Sequence, residues 1–120
     1  MDYNLSSEYN KQLDRWDVSV SGEIDLFNSA QLKESLIELI KKKQADINID
    51  CAELLYLDST ALGSLVAVLK SVKEYDGEVS ISNLKPALTR LFKITKLDNA
   101  FVIVPPAEPK DVLKEVGKNE

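Results

Sequence analysis

Along this chain two hydrophobic rhythms keep exchanging places. In Arg15 to Glu23, Trp16, Val18 and Val20 alternate with Asp17, Ser19 and Ser21, the period of a half-buried strand. Leu32, Leu36, Leu39 and Ile40 then recur at the spacing of one helix face. Ile47 and Ile49 alternate with Asp46, Asn48 and Asp50. Leu62, Leu65, Val66, Leu69 and Val72 return to helical spacing, and Ala61, Ala67 and Val68 widen that face. Val79 and Ile81 alternate again in Glu78 to Ser82. Strands interleaved with helices imply an α/β fold with parallel pairings. A sheet covered on both faces would read as continuous apolar runs, so the alternation places the helices mainly on one face.

Local signals set the boundaries. Tyr3 to Glu8 is a weaker strand, and Tyr9 to Gln12 a turn that makes a first hairpin and a mixed sheet. Gly22 marks a bulge or a close backbone approach. Asn28 with Gln31 resembles a capping box, and Lys41, Lys42 and Lys43 suit a helix C-terminus. Leu54, Leu55 and Leu57 read as an apolar connection, after which Asp58, Ser59 and Thr60 open a helix reaching about Tyr75. Asp76-Gly77 is a turn. Pro86 fits the first position of a third helix, with Leu88, Leu91, Phe92 and Thr95 on one face. Phe101 to Val104 is a short strand, Pro105-Pro106 a break, and Pro109 to Val116 a fourth helix capped by Gly117. The expectation is a single domain over residues 1–120, with a core at about 3–104, about five strands and about four helices.

The residue inventory narrows the chemistry. The 120 residues are 44% apolar and carry a net charge of −5. That charge disfavours nucleic acid, whose phosphates need a basic stripe, and anionic membrane surfaces; it suits a basic protein patch. No apolar run approaches the roughly 20 residues of a membrane span, and no signal peptide is legible. Histidine is absent and Cys51 is the single cysteine. Ser-His-Asp and Cys-His catalysis are thereby excluded within the chain, and a zinc site is disfavoured. With four glycines, neither the P-loop nor the dinucleotide fingerprint can be matched. The expectation is a cytoplasmic binding protein, not an enzyme, with no cofactor, metal or catalytic residue.

Asp58-Ser59-Thr60-Ala61-Leu62-Gly63 is the informative stretch. Taken alone, either Asp58 or Ser59 is a helix cap; if Asp58 caps, the Ser59 hydroxyl points to solvent. Ala61, Gly63 and Ser64 are small and would let another backbone approach. A helix start also tolerates a phosphate. A second acidic turn, Gly22-Glu23-Ile24-Asp25, leaves a strand end, and in α/β sheets such ends gather near the starts of the following helices.

These two segments together with Arg90-Leu91-Phe92 resemble, from about Asp14 to Val104, the bacterial anti-sigma factor antagonists of the STAS domain family. The resemblance implies a mixed sheet with helices mainly on one side and Ser59 as phosphoacceptor. Asp25, Asp58, Thr60, Ala61, Leu62 and Gly63 become partner-binding positions. The implied partner is an anti-sigma factor that is also a serine kinase using ATP it binds itself. Bare antagonist captures it and frees a sigma factor; phosphorylated antagonist releases it; a metal-dependent serine phosphatase resets the switch. Ala61 stands where glycine is common in the family, which puts an extra methyl near the expected contact. An alternative keeps the fold without phosphorylation, as an accessory or scaffold subunit of a transporter or signalling complex. A serine nucleophile would need a base, and Lys70 and Lys73 lie too far along the helix.

Overall fold

The computed structural model describes residues 2–105. The strands are β1 (Tyr3–Asn10), β2 (Arg15–Ile24), β3 (Asp46–Leu57), β4 (Val79–Ser82) and β5 (Val102–Val104). The α-helices are α1 (Ser29–Lys42), α2 (Ser59–Lys73) and α3 (Pro86–Ile94), and Leu97–Asn99 forms one 3-10 turn. Three α-helices are thus present among the described residues, where about four were expected; the fourth, Pro109 to Val116 with its Gly117 cap, lies outside them.

The strands lie side by side in chain order, with β1 antiparallel to β2 and every later pair parallel. A sheet that always steps the same way through right-handed crossovers collects its helices on one face. The alternation places the burial accordingly: Trp16, Val18, Val20, Ile47, Ile49, Val79 and Ile81 are buried beneath the helices. Leu32, Leu36 and Leu39 of α1 and Leu65, Val68 and Val72 of α2 complete that core. Phe92 packs edge-on against Phe101 at 5.5 Å and closes it beside β5. The opposite face is polar: Asp17, Asn48, Asp50, Ser80 and Ser82 are half-buried there. On it Asn10 and then Arg15 hold the Asp17 carboxyl below its usual range.

Four local readings change. Tyr9 and Asn10 stay in β1, and the hairpin turns through residues 11–14, with Asp14 at φ 51°. The supposed connection Leu54 to Leu57 is the end of β3. Its pairing with β2 skips a residue of β3 twice, since Ser19 and Ser21 face Asp50 and Glu53, and Gly22 and Glu23 face Leu54 and Tyr56. Bulges of this kind interrupt alternation, so β3 buries Cys51, Leu54 and Leu57 at intervals of three. Asn28 precedes α1, but its side chain makes no cap bond. Thr95 follows α3 and is exposed; its hydroxyl donates to the Leu91 carbonyl at 2.8 Å.

Gly22 combines both features expected of it. It sits at a register shift, at φ +90°, and an added Cβ would lie 2.4 Å from the Asp2 carbonyl oxygen. Cys51 is buried, and desolvation, with Asp50 adding to it, pushes its thiol up to about 12.

Candidate functional site: the head of α2

The parallel strands β2 and β3 finish side by side, so their following helices start at the same end of the sheet. Asp58 joins the two starts. Its Oδ1 accepts from the Ala61 backbone N–H at 2.9 Å, which caps α2. Its Oδ2 accepts from the Leu26 backbone N–H at 3.0 Å, which fastens the loop after β2. Its own N–H donates to the Ile24 carbonyl at 3.2 Å. Each carboxylate oxygen therefore serves a different segment.

With Asp58 as the cap, Ser59 is the first residue of α2. It is exposed, and its hydroxyl makes no hydrogen bond among the described residues. Thr60 and Gly63 are exposed as well, and a Cβ added at Gly63 would meet no other part of the fold, only open space. Ala61 and Leu62 are different: at 0% and 5% exposure their side chains belong to the core. The Ala61 methyl lies on the inward stripe with Leu65, Val68 and Val72 and faces the core. The surface of the motif consists of Ser59, Thr60, Gly63 and the half-buried Asp58, with the half-buried Ser64 next in the chain.

Asp25 is half-buried and folds its own turn. Its Oδ1 accepts from the Phe27 N–H at 2.9 Å, and its carbonyl accepts from the N–H groups of Asn28 and Ser29. Asn28 closes the turn from the other side: its Oδ1 accepts from the Asp25 N–H at 2.9 Å and its Nδ2 donates to the Glu23 carbonyl at 3.0 Å. Asp25 reaches the Ser59 region through this turn and the Leu26–Asp58 bond. In the third segment of the resemblance, Phe92 is buried, Leu91 half-buried and Arg90 exposed.

Sequence reasoning passed over Leu26 and Phe27. They occupy the tip of the turn and are 60% and 84% exposed. Two apolar residues between Asp25 and Asn28, outside either periodic stripe, were the available signal. Among the described residues no cluster of three or more His, Cys, Asp or Glu could hold a metal ion, and no helix is long and apolar enough to cross a membrane.

The STAS domain family matches residues 9–110, most of the chain. The chain belongs to that family. This STAS domain is 38% identical over 86 residues to the anti-sigma-B factor antagonist of Bacillus subtilis, covering 72% of this chain and 78% of the relative. A solved anti-sigma factor antagonist from Mycobacterium paratuberculosis superposes with a TM-score of 0.74 at 25% identity, covering 96% of this chain and 94% of that one. The Bacillus cell fate determinant SpoIIAA in its phosphorylated form shares the fold, with a TM-score of 0.67 at 16% identity over 94% of this chain and 99% of that one. In this STAS domain the Asp58-Ser59 step presents a hydroxyl at a helix start beside a carboxylate that is already engaged twice.

Proposed function

We propose that this STAS domain is an anti-sigma factor antagonist switched by phosphorylation of Ser59. Unphosphorylated, it binds an anti-sigma factor that is also a serine kinase, with ATP held by that partner, and so frees a sigma factor. Phosphorylated, it lets go; a serine phosphatase restores it. Asp58, Thr60 and Gly63 form the contact rim, Ala61 and Leu62 support it from beneath, and Asp25 shapes the neighbouring turn. The reading is that of a cytoplasmic binding protein rather than an enzyme, with neither nucleic acid nor membrane as partner, in keeping with the net charge of −5.

The observation that carries this reading is the division of labour between Asp58 and Ser59. Asp58 caps the helix, so the serine hydroxyl is spared that task and faces solvent. A phosphate placed there gains from the helix dipole and the free N–H groups of the first turn, so the isolated protein tolerates it without refolding. A complex does not. The phosphate adds roughly 1.5 to 2 negative charges next to Asp58, and an interface fitted to a hydroxyl would enclose them unpaired. Burying such a charge costs several kcal/mol, and each ~1.4 kcal/mol is tenfold in affinity. One phosphate is enough to dissolve a micromolar complex.

The test is incubation with ATP and purified candidate anti-sigma kinases from the same genome, read by intact mass. The expected gain is about 80 Da, one phosphoryl group, mapping to Ser59 and missing in Ser59→Ala. In pull-downs Ser59→Ala stays bound in the presence of ATP and Ser59→Asp binds weakly. Equal capture of the two variants would remove the charge mechanism.

A further inference from the structure

We infer that the Asp25–Asn28 turn is an anchor for the same partner: Phe27, with Leu26 beside it, enters an apolar pocket of the anti-sigma factor that is rimmed by cationic side chains. The inference rests on the reading of Ser59 above and divides the contact into two parts. Phe27 supplies affinity whatever the state of the serine, and Ser59 supplies the control.

Three observations on the molecule support this. First, Phe27 is the most exposed of the large apolar side chains among the described residues, at 84%. A lone exposed apolar residue needs no explanation, and Ile94 at the end of α3 is one. Phe27 differs because Leu26 adjoins it and their turn is locked. The Leu26 N–H is held by Asp58, the Phe27 N–H by Asp25, and Asn28 ties Asp25 and Glu23 together. A backbone already fixed in place has less freedom to lose on binding, which favours the turn as an anchor, and aromatic residues, phenylalanine among them, are enriched at protein interfaces.

Second, the lock is shared with the switch. The Oδ2 that holds Leu26 belongs to the residue whose Oδ1 caps α2 immediately before Ser59. Turn and serine therefore keep a fixed relation, and one rigid partner surface can meet both.

Third, charge selects the occupant. The Asp25 and Asp58 carboxylates sit against the turn, and Glu23 precedes it in the chain, within a protein of net charge −5. Anionic lipid is repelled by such a rim. A second copy is disfavoured as well, since a two-fold contact sets each patch against itself and brings the acidic groups together. A protein pocket, apolar within and basic at its edge, complements both features.

The experiment measures binding by calorimetry to the purified anti-sigma factor of the same genome that captures the wild-type chain, using wild type, Phe27→Ser, Phe27→Leu and Ser59→Asp. Phe27→Ser is expected to raise Kd at least tenfold, and Phe27→Leu to stay within about fivefold because an apolar side chain still fills the pocket. Thermal unfolding of each variant confirms that the fold is kept. If Phe27→Ser binds like wild type while Ser59→Asp is weakened, the anchor is refuted and the phosphoswitch stands. If Phe27→Ser is weakened while Ser59→Asp binds like wild type, the anchor stands and the charge switch falls. If sedimentation shows wild-type dimers that Phe27→Ser dissociates, the pocket belongs to a second copy and the inference is overturned.

Discussion

Where the parallel strands begin, the aromatic residues are packed against the fold, with Trp16 buried and Tyr9 and Tyr75 half-buried; where they end, an aromatic ring stands in water. At the first end Trp16 is buried, donates its indole N–H to the Lys43 carbonyl at 3.0 Å and meets the Tyr9 ring edge-on at 5.3 Å. Lys43 lies 4.4 Å from the centre of that Tyr9 ring, and the Tyr75 hydroxyl donates to the Ala45 carbonyl at 2.8 Å. Burial accordingly raises the Tyr75 hydroxyl above its ordinary value, although that hydrogen bond works the other way. At the second end the hydrogen bonds are equally dense, but they are spent on backbone. Asp58, Asp25 and Asn28 hold the chain still while Leu26, Phe27 and Ser59 face outward. The contrast teaches that one end maintains the fold and the other presents side chains, with rigidity common to both.

Substitutions can break that contrast. Trp16→Ala should have the largest effect, a loss of about 3–5 kcal/mol as for other large buried aromatics, measured by urea unfolding. A loss under about 1 kcal/mol, the range of ordinary surface changes, would mean the Trp16 end is not a stability element. Asp58→Ala comes next. Removal of a helix cap costs about 1 kcal/mol, and hydrogen exchange at the Leu26 and Ala61 amides should accelerate together because one side chain protects both. Acceleration at Ala61 alone would separate the turn from the helix. Phe27→Ala should be the smallest, within about 0.5 kcal/mol of wild type. A larger loss in the same unfolding assay would show that Phe27 packs inward and that the two ends are alike.

The alternating strands are legible because the sheet is covered on one side only: most of β2, the first half of β3 and β4 show period two, and β2 and β4 fall within a residue or so of the expected bounds. The end of β3 was not, because two extra residues move its buried positions from period two to period three, so Leu54 and Leu57 look like a connection. The head of α2 was legible in outline, since a capping aspartate and small polar residues before an apolar stripe mark a helix start. Which of Asp58 and Ser59 caps was not, because both side chains are competent acceptors; the bond to Ala61 decides it. Asn28 misled for a related reason. An Asn three residues before a Gln suits a cap, yet the same amide fits the turn beside Asp25, and proximity to Glu23 and Asp25 wins. Leu26 and Phe27 escaped because hydrophobicity in a sequence carries no sign for exposure.

The two bonds accepted by the Asp58 carboxylate limit what else that position can hold. An amide offers a single acceptor oxygen, its other terminus being a donor, so Asp58→Asn would have to abandon either the cap or the loop. In Asp58→Glu both oxygens are kept, but one more methylene carries them away from Ala61 and Leu26 at once. Among side chains with two acceptor oxygens, only the shorter one reaches both amides, so the position has no neutral isostere and no longer homologue that leaves both segments in place.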